Sequence, residues 1–305
     1  MSIVSEEIVF QANRRVGLAF HLLVILLLLA GTVVGLLQAT RASIGPVFLL
    51  YLLPVLVSAA LIPVLGYYGY ALYRSSYMLQ RDGVHLHWGL RIEDIPMDII
   101  RWVHPLEELD GALFLPWLHW PGALVGRRSS PGLGEVEFMA SSRGSLILIG
   151  TTEKTFAISP EDPQGFLATY QRLNELGSLR PLPARSVFPT FLLVRVWSSR
   201  PARALLLTGL GLSLLLLIWV SLAIPTRTQV TLGFDASGIP RDPIPAVRLL
   251  LLPVINSMVF LVDTLLGFYF YREAEAQPLA YLSWAGGVIS PLLFLVSVFF
   301  ILQIR

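Results

Sequence analysis

Five stretches of the chain lose all alternation between apolar and polar positions. Residues 16–37, 46–73, 204–224 and 279–302 carry no charge, and residues 249–271 carry one acid, Asp263. Each is long enough for a helix to cross about 30 Å of hydrocarbon, which takes roughly 20 residues. Backbone polar groups in lipid must pair within their own segment, so helix is the expected form. Pro54 and Pro63 predict a kink or break in the second span. The first span is too long for the apolar part of a signal peptide and follows Glu6 and Glu7, so it reads as a retained helix.

Between the second and third spans the pattern changes to short strands. Val84, Leu86 and Trp88 alternate with His85 and His87 after the turn signal Asp82-Gly83. Further runs at 99–103, 135–139, 146–151 and 155–159 read as strands. Ser159-Pro-Glu-Asp-Pro then precedes Phe166, Leu167, Tyr170, Leu173 and Leu176, the spacing of an amphipathic helix with its start signal in front. The expected fold class is an α+β membrane protein: five transmembrane helices plus a small β-barrel or sandwich capped by one helix.

Composition sharpens this. Of the 305 residues 55% are hydrophobic and 14% charged, with a mean hydropathy of +0.69. A soluble domain carries about 25% charge. The net charge of +2 gives no reason to expect nucleic acid. The absence of Cys excludes disulfides, thiolate metal sites and thiol catalysis. Arginines around the spans favour a cytoplasmic N-terminus and middle region, with the C-terminus outside. Arg14, Arg15, Arg74, Arg81, Arg195, Arg200, Arg203 and Arg272 would flank the inner ends, against Arg41, Arg227, Arg241, Arg248 and Arg305 outside.

Arg81-Asp82-Gly83-Val84-His85-Leu86, then Ile95-Pro96-Met97-Asp98-Ile99-Ile100, then Ala157-Ile158-Ser159-Pro160-Glu161-Asp162-Pro163 leading to Phe166, follow one another in an order that resembles the bacterial PH-like domain family over about 77–176. The arrangement as a whole resembles its membrane-embedded form, a PH-like domain between transmembrane helices, with a short loop such as 233–240 before the fourth span. The resemblance implies a seven-stranded barrel-like sandwich closed by a helix, and it implies no particular activity. Eukaryotic PH domains bind phosphoinositides through basic residues in the first hairpin. Here that turn has Arg81 beside Asp82 and no Lys, and acids balance bases over 75–203. Phosphoinositide binding is therefore disfavoured, since attraction to anionic lipid grows by about 1 kcal/mol per cation. Arg127 and Arg128 remain a candidate anion contact, with a solvated loop tip as the plainer reading.

The uncharged segment 112–125 contains Phe114, Trp117, Leu118 and Trp120. Trp favours membrane and protein interfaces alike, so the segment reads as a contact with lipid or a partner, or as a flap closing one end of the barrel. Asp263 is costly within a span and usually faces protein or water. His21, also in a span's cytoplasmic half, is its candidate partner, while a locally hydrogen-bonded Asp263 that fixes helix contacts is the plainer reading. Gly31 with Gly35, and Gly286 with Gly287, give slim helix faces for packing. His85 and His87 alternate on one strand without the further ligands of a metal site. Gly150-Thr-Thr-Glu-Lys154-Thr155 lacks the glycine spacing of a phosphate loop, and no hydrolase or metalloprotease motif occurs.

These readings divide the chain into 1–73 (N-terminal segment and two spans), 74–180 (cytoplasmic PH-like domain), 181–203 (interfacial linker) and 204–305 (three spans with an outer loop at 225–248). The expected function is non-catalytic: a scaffold, assembly or regulatory subunit in the bacterial inner membrane. Its partners would be the lipid bilayer and other membrane protein subunits, and no cofactor or metal is expected. The competing reading is an accessory subunit of a transporter or of an electron-transfer or photosynthetic complex, with Asp263 as an intramembrane polar site.

Overall fold

A computed structural model of the chain describes residues 7–108, 113–117, 119–176, 185–187, 191–231, 242–273 and 275–303. The chain divides into two compact units, Met1–Ala30 with Ser58–Pro189, and Gly31–Val57 with Thr190–Arg305.

The first unit grows out of a strand that precedes the membrane helices. Strand β1 (Ile8–Gln11) leads into α1 (Arg15–Arg41) and α2 (Pro46–Tyr73), and the chain then returns as β2 (Ser76–Gln80). β2 pairs antiparallel with β1, Ile8 opposite Leu79 and Gln11 opposite Ser76. The two helices are thus an insertion between neighbouring strands of one sheet. β3 (Gly83–Trp88) and β4 (Arg91–Pro96) extend that sheet. The 3₁₀ turn Met97–Ile99 carries the chain from this sheet into a second, through β5 (Ile100–Pro105), β6 (Leu124–Ser130), β7 (Gly134–Ala140), β8 (Ile147–Thr151) and β9 (Thr155–Ile158). Helix α3 (Pro163–Leu176) follows, then β10 (Arg185–Val187). The sheet orders are β1-β2-β3-β4-β10 and β5-β8-β9-β7-β6, with β7 and β9 parallel.

The alternation read in β3 sets its orientation: Val84, Leu86 and Trp88 point inward with Tyr77 and Leu79 of β2. Met139, Ile147, Ile149, Phe156 and Ile158 meet them from the second sheet. The reverse face of that sheet is buried too. Val136, Phe138, Ala140, Leu148 and Ala157 lie under Trp102, Leu106, Leu113 and Leu115. Double burial explains why β8 and β9 read as unbroken apolar runs. α3 begins where the sequence signal puts it, the Asp162 carboxylate accepting the Gly165 N–H at 2.9 Å. Phe166 and Leu173 close the core, Phe166 edge-on to Phe10 of β1 at 5.4 Å.

Two features depart from expectation. Strands β1 and β10 carry the first sheet beyond 74–180, and among the described residues eight strands, not seven, lie between Ser76 and Ile158. α2 runs unbroken through Pro54 and Pro63, as α7 does through Pro291. The helix bonds that proline removes are tolerated more readily in apolar helices.

The start of α1 is seated on the β-domain at a backbone-to-backbone contact. A Cβ at Gly17 would stand 2.4 Å from the Gly122 Cα and 2.6 Å from a Leu72 methyl. Gly122, at φ +87°, also needs the left-handed region that glycine tolerates.

The second unit holds α4 (Phe191–Ser198), α5 (Arg200–Ala223), α6 (Leu251–Phe270) and α7 (Gln277–Gln303). A two-residue ladder, β11 (Gln229–Val230) with β12 (Ile244–Pro245), lies between α5 and α6 in the chain. α7 crosses α5 closely, a Cβ at Gly209 standing 2.8 Å from the Gly287 carbonyl oxygen. Trp284 is buried against Gly267, Phe268 and Tyr271. Five helices, α1, α2 and α5–α7 with short flanking turns, are long and apolar enough to cross a membrane.

Gly17→Ala is expected to destabilise the first unit by about 1–3 kcal/mol through overpacking. Gly31→Ala, where the added methyl meets nothing within 4 Å, should stay within about 0.5 kcal/mol of the parent. Thermal unfolding in detergent followed by circular dichroism compares the two; equal effects would contradict the seating.

Candidate functional site

Two polar constructions stand out in the first unit, one at the junction of α1 with the β-domain and one inside the sandwich.

At the junction, the Trp120 Nε1–H donates to His21 Nε2 at 2.9 Å, and His21 Nδ1 lies 2.7 Å from the Gly17 carbonyl oxygen. The donor on one nitrogen and the acceptor at the other fix a neutral ring with its proton on Nδ1. The Trp120 ring also meets Tyr68 of α2 edge-on at 4.8 Å. Asn13 N–H donates to the Ser159 carbonyl, Glu161 N–H to the Gln11 carbonyl, and Arg15 pairs with Glu161 at 3.4 Å. The first turns of α1 are therefore held by backbone contact, side-chain hydrogen bonds and strand pairing at once.

Inside the sandwich, β4 turns Arg91 and Glu93 inward beside Ile95, where alternation calls for apolar side chains. From the other sheet β7 contributes Glu137, fully buried. Arg91 bridges the two acids, at 2.5 Å from Glu93 and 2.6 Å from Glu137. Arg127 reaches Glu137 at 2.7 Å, and Lys154, the one lysine in the sequence, at 2.5 Å. Ser186 of β10 donates to Glu93 at 2.6 Å. Burial would raise the Glu137 carboxyl, but Lys154, Arg91 and Arg127 outweigh it and hold it below its ordinary range.

The sequence candidates fall as follows. Trp117 is 90% exposed and Phe114 half exposed, whereas Leu113 and Leu115 of the same segment pack on the second sheet. The segment thus combines a flap with an outward tryptophan; Leu118 lies outside the described residues, as does the loop 233–240. Both His21 nitrogens are engaged, one by the Gly17 carbonyl and one by Trp120. The Asp263 carboxylate lies against Gly286, 3.0 Å from where a Cβ would stand, and has no hydrogen-bond or ion-pair partner among the described residues. Gly287 packs against Phe260. Gly35 packs on Val55, while Gly31 meets nothing. Arg127 is bound to Glu137 and Glu135 instead of standing open for an anion, and Arg128 is an exposed position on β6.

His85 lies 2.6 Å from Asp94 and 3.2 Å from Gln80, and burial lowers the pKa of His87. No group of three or more His, Asp or Glu suited to a metal occurs among the described residues. Lys154 closes the β8–β9 turn, where Thr151 bonds its carbonyl, so the segment that looked superficially like a phosphate loop is a hairpin.

The charged core escaped the sequence reading. Its signal was Arg91-x-Glu93, two charges at inward alternate positions of a strand whose next inward residue is Ile95.

Residues 75–174 match the model of the family described as Bacterial PH domain. Comparison with curated proteins and with solved structures gave no match.

Glu137→Ala leaves three cations without their shared acid and should cost about 3–5 kcal/mol. With Glu137 held below its ordinary value of 4.5, the stability it contributes is present above that pH and is lost as pH falls through the lowered value in the folded state. Chemical denaturation across pH 3–7 should show the advantage over Glu137→Gln shrinking below about 4.5. Trp120→Phe keeps a ring against Tyr68 but strips His21 of its donor, at about 1–3 kcal/mol by the same measurement.

Proposed function

Since residues 75–174 form a bacterial PH domain flanked by helices apolar enough to span a membrane, we propose that the chain is a non-catalytic scaffold or assembly subunit of the bacterial inner membrane. The N-terminus and PH domain lie in the cytoplasm and the C-terminus lies outside. The observation that supports this is the mounting of the domain. β1 before α1 and β2 after α2 are adjacent strands, and Gly17, His21 and Tyr68 are seated on the 120–122 turn. A domain held at both ends of a helical pair presents its surface at a fixed height and angle, which suits protein contacts. Acids and bases balance over 75–203, so bulk attraction to anionic lipid is not what such a domain supplies.

A second reading rests on Asp263. An unpartnered carboxylate beside Gly286 and Gly287 is where a helix of a neighbouring subunit with a hydrogen-bond donor would pack. That would make the chain an accessory subunit of a transporter or electron-transfer complex.

Because the chain lacks Cys, single substitutions serve as clean topology probes. Gln303→Cys should react with an impermeant maleimide in intact cells, and Glu153→Cys only after permeabilisation; the reverse pattern overturns the orientation. Purified in mild detergent at native expression, the chain should elute with a stoichiometric subunit. That subunit should be lost from Trp117→Ala under the scaffold reading, or from Asp263→Asn under the second. A lone monodisperse chain overturns both.

A further inference from the structure

A cavity of about 510 Å³ opens beside the first turn of α1, between Asn13, Val16 and Gly17 on one side and the 119–122 turn and Ser141–Arg143 on the other. We propose that it binds the headgroup and glycerol of an anionic glycerophospholipid, with the acyl chains leaving along α1. The proposal rests on the reading that α1 crosses the bilayer, which a Ser43→Cys label between α1 and α2, reactive with impermeant maleimide in intact cells, tests separately.

Depth carries the argument first. α1 begins at Arg15, and the 120–122 turn touches it at Gly17 and His21. At 1.5 Å per residue the turn therefore sits up to about 9 Å along the helix. Beyond it the helix surface is apolar and exposed, as at Leu22 and Leu23. A cavity at this level faces headgroups and the first methylenes, not bulk water. Tyr68 of α2 meets the Trp120 ring at this level, with Tyr67, Tyr70 and Tyr73 on the same helix, a residue type favoured at the headgroup boundary.

The lining matches that solvent. Val16, Leu115, Trp120 and Pro121 give an apolar wall. Arg143 is exposed and has no acidic partner among the described residues, and the Asn13 side chain has no hydrogen bond there. His119 donates its Nδ1–H to the Pro116 carbonyl, leaving Nε2 as an acceptor. One guanidinium and one amide N–H around an apolar slot can hold a phosphodiester whose chains run into hydrocarbon, while the imidazole nitrogen accepts from a glycerol hydroxyl of the headgroup. The site is separate from the first hairpin at 81–83, and Arg127 and Arg128 take no part in its lining.

The test uses the full-length protein in detergent, titrated with phosphatidylglycerol or phosphatidylcholine and read by native mass spectrometry. Wild type should retain one phosphatidylglycerol in preference to phosphatidylcholine, and millimolar inorganic phosphate should not displace it. Arg143→Glu should weaken that retention about tenfold or more, the loss of a charge-assisted contact. Val16→Trp, a substitution at an exposed position on the slot's wall, should weaken it similarly, whereas Arg128→Glu should leave it unchanged. Equal retention of the two lipids by wild type overturns the proposal, as do equal losses from Arg143→Glu and Arg128→Glu. Displacement by phosphate alone overturns it in favour of a free-anion site.

Discussion

A helix backbone resting on a turn backbone, Gly17 against Gly122, sets the geometry of the first unit. Neither position has room for a Cβ, so the close approach exists only because both are glycine. The approach brings the His21 ring to Trp120, and the Trp120 ring to Tyr68 on the second helix. A histidine in a membrane-competent helix needs both nitrogens satisfied. The Gly17 carbonyl and the Trp120 N–H satisfy them without a charge. The β1–β2 pairing then ties the start of α1 and the end of α2 to one sheet. Loosening any one of these contacts leaves the others to hold the register, which makes the domain and the adjoining helix turns a single body.

The charged core is a second constraint, and its cost is distributed unevenly. Glu137 and Glu93 are buried, whereas Arg127 is half exposed and Lys154 keeps partial access to solvent. Arg127 and Lys154 thus retain part of their hydration, whereas Arg91 and the carboxylates lose theirs, which only dense pairing can offset. Because β4 supplies Arg91 and Glu93 and β7 supplies Glu137, the pairing works across the two sheets. A purely apolar seam there would allow one sheet to slide on the other. Two directional ion contacts between the sheets, Arg91 to Glu137 and Lys154 to Glu93, favour one register.

The elements legible in the sequence are those whose signal is local. Apolar runs of more than 20 residues with at most one charge read as membrane-competent helices, and the structure places helices at all five. β3 was legible from strict alternation and α3 from the Asp162 start signal, because each pattern is complete within its own segment. β1 and β10 were not, since three or four residues acquire strand form only from the partners that they meet in β2 and β4. The uncharged segment around Trp117 was conspicuous, but its division into inward Leu115, outward Trp117 and sideways Trp120 depends on tertiary neighbours. Likewise, position along a span gives depth but not rotation about the helix axis, so His21 and Asp263 looked alike until the ring was seen to face Trp120.

The electrical neutrality of the domain follows from how it is held. A soluble module that must find a membrane needs a basic surface, because each cation near anionic lipid adds about 1 kcal/mol of attraction. A module built between helices that cross the bilayer has its local concentration supplied by the chain itself, so such attraction adds little. Its surface charge can then be spent internally, and Arg91, Arg127 and Lys154 are spent on Glu93 and Glu137. What the anchoring does not supply is a preference for one lipid over another. That requires a shaped cavity at headgroup depth, the role proposed above for the slot between the start of α1 and Arg143.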